Sequence, residues 1–369
     1  MKTWLVERRS ILVAAVVSRV LVFGAAAVSH GLGWPHAPTI PMHIASTKRA
    51  LTYLGYWDGP WYRNIAEHGY LLIPGRQSDP AFFPLFPMLL RAVHGLGLSY
   101  LTDGLLLANA AFFCGILVLY ELGCRVVSTE IARTGAIIAA LFPMSYVFSM
   151  TYPESIVLAT LSLALLFAVE RRWSACALAG AVAALSRPEA LFFALPLVAI
   201  AIEQERAAGR LERGRAVGAA LAPLASLAAF PLYLGWTLHD VFAWSRAQQA
   251  WGRSFQLGGF ARAFEQLNQA GQSPWLWREA GFAVLFLALL AAAYLRGVPL
   301  VWVLAGVAVV LAPLASGTFM SDARFGLLAL PAYWGLALIA RRAAPRRGLF
   351  VVSAALLVGA TMTLPLVNP

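Results

Sequence analysis

Asp58 stands near the head of the most polar stretch in an otherwise apolar chain, Trp57-Asp58-Gly59-Pro60-Trp61-Tyr62-Arg63-Asn64-Ile65-Ala66-Glu67-His68-Gly69-Tyr70. Pro60 suits the first turn of a helix, where its missing N–H has no helical partner. From there Asp58, Trp61, Tyr62 and Ile65 fall at i, i+3, i+4 and i+7 and share one face, while Arg63 and Glu67 pair at i, i+4 on another. Two roles are open to Asp58. As an N-cap it would accept backbone N–H bonds at a gain of about 1 kcal/mol. As a general base it has Tyr56, Trp57 and Trp61 around it rather than solvated polar groups, a setting in which a positioned carboxylate can take a proton. Trp57, Trp61, Tyr62, Arg63 and His68 are the residues of this stretch placed to bind a substrate beside it.

Four more charged residues fall in short polar breaks between apolar runs. They are Glu154 in Thr151-Tyr152-Pro153-Glu154, Arg187 in Ser186-Arg187-Pro188-Glu189, and Asp322 and Arg324 in the break from Gly317 to Arg324. A carboxylate joined by arginines and aromatics from separate loops suits transfer of a group from a lipid phosphate. The planar guanidinium makes paired, charge-assisted bonds to phosphate, and aromatic rings offer faces to a sugar. Plainer readings stand beside these. Glu154 can be a first-turn acid facing the helix dipole, and Arg187-Pro188 can be a simple turn. Arg324 can anchor a helix end, and Trp244, Trp251, Trp275 and Trp277 can form an interfacial belt. His30, His36 and His43 lack helical register, and no His/Cys/Asp cluster has metal-ligand spacing, so neither metal nor cofactor is expected. No phosphate-binding loop or dinucleotide fingerprint occurs.

The elements that must hold these residues are membrane helices. Hydrophobic residues make up 60% of the 369 and charged residues 12%, about half the charged share of soluble domains. Apolar runs suggest about eleven transmembrane helices: Ile11–Val28, Asp103–Leu122, Arg133–Met150, Pro153–Val169, Ser174–Leu185, Glu189–Ile202, Ala216–Trp236, Leu276–Tyr294, Val298–Ser316, Phe325–Ala340 and Leu349–Val367. The first run follows Lys2, Arg8 and Arg9 and could be a signal peptide, but a retained helix is expected. Phe82-Phe83-Pro84-Leu85-Phe86-Pro87-Met88-Leu89-Leu90-Arg91 is too short and Pro-broken to cross about 30 Å of hydrocarbon and reads as a second surface helix. The chain is thus expected to be one all-α integral membrane domain, 1–369, with a first loop at 30–102 and a second large loop at 239–275.

The net charge of +11 comes as arginines between apolar runs, so it speaks for topology rather than nucleic acid. With a cytoplasmic N-terminus, Arg125, Arg171-Arg172, Arg206, Arg210, Arg213, Arg215, Arg296, Arg341-Arg342 and Arg346-Arg347 all fall on the cytoplasmic side. Asp58, Glu154, Arg187, Asp322 and Arg324 then fall together outside. Arg19, inside the first helix, needs a partner or a wet cavity. Cys114, Cys124 and Cys176 lie in or beside apolar runs without a Cys-x-x-Cys pattern, which argues for neither disulfide nor thiolate site. The alternative class is a lipid or solute transporter or a lipid-linked-sugar flippase. That class would gather polar residues at mid-bilayer within inverted repeats, and no internal repeat is found.

Tyr56-Trp57-Asp58-Gly59 leading into Ile65-Ala66-Glu67-His68-Gly69-Tyr70, with Phe82-Phe83-Pro84-Leu85-Phe86-Pro87, resembles the PIG-V-type mannosyltransferases. Phe142-Pro143, Tyr152-Pro153-Glu154-Ser155 and Ser186-Arg187-Pro188-Glu189 are similar to that family's later segments. The resemblance implies a GT-C-like bundle, a polyprenyl-phosphate-linked mannose donor, inversion at the anomeric carbon and no obligatory metal. It maps the family's first-loop acid onto Asp58. The partners implied are the lipid-phosphate sugar donor, membrane lipid, and a glycan, lipid or protein acceptor.

Overall fold

A computed structural model describes residues 2–33, 50–205, 210–254, 257–269 and 274–366. His36 and His43 and part of the first loop lie outside them. The chain opens with α1 (Lys2–Gly31), a 3-10 turn at Thr52–Gly55, α2 (Gly59–His68), a second 3-10 turn at Asp79–Ala81 and α3 (Leu85–His94). It continues through α4 (Tyr100–Val126), α5 (Thr129–Leu141), a 3-10 segment at Ser145–Ser149, α6 (Glu154–Val169) and α7 (Trp173–Ser186). A further 3-10 segment, Pro188–Phe193, leads into α8 (Ala194–Glu205), α9 (Arg210–Leu238), α10 (Ala243–Ala250) and α11 (Gly259–Gln269). Then come α12 (Pro274–Leu295), α13 (Leu300–Ala315), the short α14 (Asp322–Phe325), a 3-10 turn at Gly326–Leu328, α15 (Pro331–Ile339) and α16 (Ala343–Met362). All regular elements among the described residues are helical, and the protein is a multi-pass membrane protein.

Local chemistry sets the helix ends. Ser99 and Ser128 cap α4 and α5, their hydroxyls accepting from the N–H groups of Thr102 and Ile131, as N-cap serines do. Pro143 and Pro188 stop α5 and α7, because the residue before a proline is pushed out of the helical region. Phe142 and Arg187 accordingly turn extended, Arg187 at φ −158° and ψ 139°. The first interruption ends α5 short of the end of the apolar run Arg133–Met150. Among the described residues, five helices are each long and apolar enough to cross a membrane: Arg8–Gly31, Tyr100–Val126, Glu212–Leu238, Pro274–Leu295 and Ala343–Met362. Others, such as Glu154–Val169, Trp173–Ser186 and Leu300–Ala315, are apolar but shorter.

α4 packs on α5 and α6, α7 on α6 and α9, α12 on α13 and α15, and α1 on α5 and α16. The basic groups meet at one end of this bundle. Arg8 pairs with Glu121, Arg125 with Glu170 at 2.9 Å and Arg346 with Glu130 at 2.7 Å, while Arg296 donates to the Leu338 carbonyl. At the opposite end Ser29 Oγ donates to the Met362 carbonyl, and there the polar loops with Asp58, Glu154, Arg187 and Arg324 collect. Arg19 finds its partners inside the bundle. It donates to the Ser145 carbonyl and hydroxyl and to Ser149 Oγ, and its guanidinium lies 4.0 Å from the Phe112 ring centre. It thereby pins the 3-10 segment that leads to Tyr152 and Glu154.

Candidate active site

α2 carries the expected faces. Trp61, Tyr62 and Ile65 are buried, and Arg63 Nε donates to Glu67 Oε1 at 2.7 Å on the outer face. Asp58 occupies the N-cap position, yet its side chain makes no cap bond. Its carboxylate instead accepts from Arg324 Nη1, 266 residues further on. The Asp58 N–H donates to the Tyr152 hydroxyl at 2.9 Å, and that hydroxyl donates to the Tyr56 carbonyl at 3.2 Å. Thr151 N–H donates to the Leu54 carbonyl at 3.0 Å. Gly59 and Gly104 leave room for the Thr151 side chain, since a Cβ on either would stand 2.5 or 2.6 Å from it. Sequence spacing placed Asp58 on a helix end, and these contacts dock that end onto the loop before α6.

The buried ionic network runs outward from Glu154. This carboxylate, fully buried at the start of α6, faces Arg324 Nε at 3.3 Å and accepts from Arg187 Nη1. Arg187 also forks onto Glu189, with Nε–Oε2 at 3.1 Å and Nη2–Oε1 at 3.2 Å. The Phe325 ring carries three guanidinium groups around it, those of Arg187 at 4.4 Å, Arg253 at 5.2 Å and Arg324 at 5.3 Å. Asp58, Tyr62, Arg187, Glu189, Arg253 and Arg324 line a cavity of about 150 Å³ together with Phe82, Phe83, Trp244, Gln248 and Trp251. Arg253 has no carboxylate partner among the described residues and donates to the Met320 carbonyl at 2.7 Å. Burial, and after it the charge of Arg324, brings its pKa down to about 10, so it stays cationic while short of counter-charge.

Backbone strain marks both loops that deliver the Asp58–Arg324 pair. Trp57 is held at φ 60° and Ser321 at φ 66°, a region that costs a residue with a side chain roughly 1–3 kcal/mol. Trp57 turns its indole away from the cavity and donates from Nε1 to the Leu364 carbonyl at 2.9 Å.

The other expected site residues are placed as follows. Asp58, Tyr62, Arg187 and Arg324 meet in the cavity, and Glu154 stands behind the arginines. Trp61 is stacked behind Phe82. Three placements depart from the sequence reading. Arg63 lies on the outer face with Glu67 and near the Tyr100 ring, and the His68 side chain is 71% exposed, because α2 turns their face away. Asp322 is buried with both carboxylate oxygens unpartnered among the described residues. Residues two apart on a helix face nearly opposite ways, so Arg324 points to the cavity and Asp322 into the bundle. There burial, and then the charge of Glu279, pushes its carboxyl well up from the ordinary range, with Arg253 acting the other way. Burial under the loop therefore favours the protonated form of Asp322. Its neighbour Ala323 donates from N–H to Glu279 Oε2 at 2.8 Å.

Arg253, Glu189, Gln248, Trp244 and Trp251 were missed as site residues. The Trp-rich second loop reads in sequence as an interfacial belt, and the turn Trp251-Gly252-Arg253, with Gly252 at φ 73°, was the only local signal. No group of three or more His, Cys, Asp and Glu side chains gathers among the described residues.

ArnT from Cupriavidus metallidurans, solved bound to undecaprenyl phosphate, is similar with a TM-score of 0.55 at 17% identity, over 94% of this chain and 63% of its own. The Archaeoglobus fulgidus oligosaccharyltransferase, solved with a tethered acceptor peptide, is similar with a TM-score of 0.51 at 14% identity, over 98% of this chain and 55% of its own. The fold is shared with these two solved proteins and is a GT-C-like helical bundle. GPI mannosyltransferase 2 of Drosophila melanogaster is 27% identical over 164 residues, which are 38% of this chain and 35% of the relative. The chain spans about a third of that relative and under two thirds of either solved chain. No family model matches it.

Proposed function

We propose that this chain is a membrane glycosyltransferase that moves mannose from a polyprenyl-phosphate-linked donor to a hydroxyl of a glycan, lipid or protein acceptor, with inversion. The observation that carries this reading is one cavity lined by Asp58 and by three guanidinium groups brought from separate elements, Arg187, Arg253 and Arg324. The GT-C architecture and the polyprenyl phosphate bound in the similar ArnT support a lipid-linked donor. The partial likeness to GPI mannosyltransferase 2 supports mannose as the sugar. An arabinosyl or other glycosyl donor would leave the chemistry unchanged.

In the reaction the acceptor oxygen attacks the anomeric carbon as Asp58 takes its proton. The bond from that carbon to the phosphate oxygen breaks on the opposite face, and the electron pair leaves with polyprenyl phosphate. Negative charge grows on the departing phosphate, where fixed cations stabilise it most. Arg253, short of counter-charge, is the first cation available to it. Arg324 is engaged by Asp58 until a phosphate competes for its fork. Donor binding thus frees the Asp58 carboxylate for the acceptor proton, so the base is released when there is something for it to act on. The cavity lies at the bundle end opposite the basic clusters, which under the positive-inside rule supports an active site outside the cytoplasm.

The test is label transfer from radiolabelled polyprenyl-phosphate mannose in membranes carrying the chain. A labelled product that depends on the chain is expected. Its absence, with donor and acceptor extracts active toward other transferases, overturns the reading.

A further inference from the structure

α12 grips the segment that carries Arg324 at two points. Glu279 and Phe286 lie seven residues apart on α12, two turns along one face, and both are buried. Glu279 Oε2 accepts from the Ala323 N–H at 2.8 Å. The Phe286 ring lies against Gly326, where a Cβ would stand 2.1 Å from it. The two contacts bracket Arg324 in the chain. α14 has little of its own to hold it. It is four residues long, and its N-cap Ser321 sits at φ 66° with no side-chain cap bond. The N–H groups of Asp322, Arg324 and Phe325 are answered locally, by the carbonyls of Phe319, Ser321 and Ser321 at 3.1, 3.1 and 3.0 Å. The Ala323 N–H is answered from another helix.

A single helical turn is not stable by itself, because nucleation fixes several residues for one hydrogen bond. The direction of α14 therefore depends on what its neighbours hold. Glu279 takes the part that an N-cap serine plays in other helices, and as a carboxylate it makes the stronger, charge-assisted form of that bond. Glu279 is itself fixed. It accepts from Arg278 Nε at 3.0 Å, and Arg278 also donates to the hydroxyl of Tyr146, in the 3-10 segment that leads to Tyr152 and Glu154. The plainer reading is that Glu279 only pairs with Arg278. The Arg278 side chain, however, is 25% exposed and the Glu279 side chain 1%. An ion pair within reach of water does not require a carboxylate sunk that far, whereas the bond to Ala323 does.

We infer that Glu279 is a positioning residue for Arg324: by accepting the Ala323 N–H it fixes α14 from α12, and so sets the Arg324 guanidinium on Asp58 and at the cavity wall. Glu279 is not among the residues that line the cavity, and it acts through the backbone of the residue next to Arg324. Its effect on the Asp58–Arg324 pair rests on the fold. Its effect on donor affinity rests on the glycosyltransferase reading.

The experiment is a double-mutant cycle on the purified full chain, read as melting temperature, with elution volume used to confirm folding. Glu279→Gln keeps an acceptor oxygen at the same reach and drops the charge. Glu279→Asp keeps the charge beside Arg278 but falls one methylene short of Ala323, and Glu279→Leu drops both. In the native background Asp58→Asn removes a partner of Arg324 and lowers the melting temperature. That drop should shrink to less than half in whichever of the Glu279→Asp and Glu279→Leu backgrounds folds, because Arg324 is no longer aimed at Asp58. It should keep its native size in Glu279→Gln. It should also keep it in Leu290→Ala, which loosens α12 on the side that meets Gly306 of α13. The KM for polyprenyl-phosphate mannose should rise about fivefold or more in Glu279→Asp and stay near native in Glu279→Gln. A full Asp58→Asn drop in folded Glu279→Asp or Glu279→Leu overturns the inference. So does a Glu279→Gln or Leu290→Ala background in which the drop shrinks, since charge pairing or general loosening would then be the cause. The cycle is read without turnover. A native chain that transfers no label counts against the transferase reading alone, and one that transfers label while the cycle stays additive counts against the positioning role alone.

Discussion

Replacing Asp58 by Asn separates its chemical role from its structural one. The N-cap contribution of about 1 kcal/mol drops out of the comparison, because the Asp58 side chain makes no cap bond. What the substitution removes is one carboxylate from Arg324, whose guanidinium keeps Glu154 at 3.3 Å and the Tyr152 ring at 5.2 Å. Stripping a buried cation of its only partner costs about 3–5 kcal/mol. With a second carboxylate in place the loss should be nearer that of one charged hydrogen bond, about 1.5–3 kcal/mol. A general base contributes 10²–10⁴-fold in rate, about 3–5 kcal/mol of barrier. Asp58→Asn should therefore insert and fold with a modestly lowered melting temperature and lose at least 100-fold in label transfer. Detergent-extracted protein followed by fluorescence-detected size exclusion gives the first quantity, and transfer normalised to protein gives the second. Transfer above about a tenth of the native rate in folded Asp58→Asn would refute Asp58 as the base, and Glu154 would be the next carboxylate to test.

Four further outcomes follow from the same geometry. Arg253→Lys should raise the KM for polyprenyl-phosphate sugar about tenfold or more with little change in stability, since a point charge lacks the paired fork; an unchanged KM would remove Arg253 from phosphate binding. Gly59→Ala brings a methyl to 2.5 Å from Thr151 Oγ1 and should cost about 1–3 kcal/mol by overpacking; Thr151→Ala in the same chain should recover most of the melting temperature, and failure to do so would locate the strain elsewhere. Asp322 has its carboxyl raised well above the ordinary range by burial and then by Glu279. Its stabilising share is thus complete below the unfolded value of about 4 and is lost as pH rises through the folded value. Asp322→Asn should match the native chain in acid and exceed it in melting temperature increasingly toward pH 8, whereas a gap that narrows with pH would contradict the buried neutral acid. Reporter fusions at Pro345 should read cytoplasmic and fusions at Gly75 external, and the opposite pattern would invert the bundle.

The helical membrane fold was legible because composition and apolar run length decide it before any detail; the end of α5 was not, since the apolar run Arg133–Met150 continues past the Pro143 that stops the helix. The faces of α2 were legible for the same reason: Trp61, Tyr62 and Ile65 repeat at helical spacing, and the period survives whatever they pack against. The pairings in the cavity were not legible. Asp58 reads in sequence as either a cap or a base, and only a guanidinium 266 residues away shows what its carboxylate binds. Asp322 and Arg324 share a loop in sequence, but the left-handed turn at Ser321 sets the helical phase that sends one inward and one to the cavity. Trp244 and Trp251 have a composition that fits a belt, and their sealed N–H groups are a property of packing that no spacing encodes.

The long-range ties of the first loop also bear on the order in which the protein is made. Asp58 meets Arg324 only after 266 more residues have been synthesised, and Trp57 meets the Leu364 carbonyl only after 307. At ribosomal speeds of about 5–20 residues per second, the nascent loop spends roughly 13 to 60 seconds with its acid unpaired and its strained Trp57 unanchored. The catalytic segment, emerging early, is among the last parts of the chain to settle. A chain that ended before the final helix would still offer Arg324 to Asp58 but would leave the strained Trp57 without the Leu364 carbonyl that anchors it.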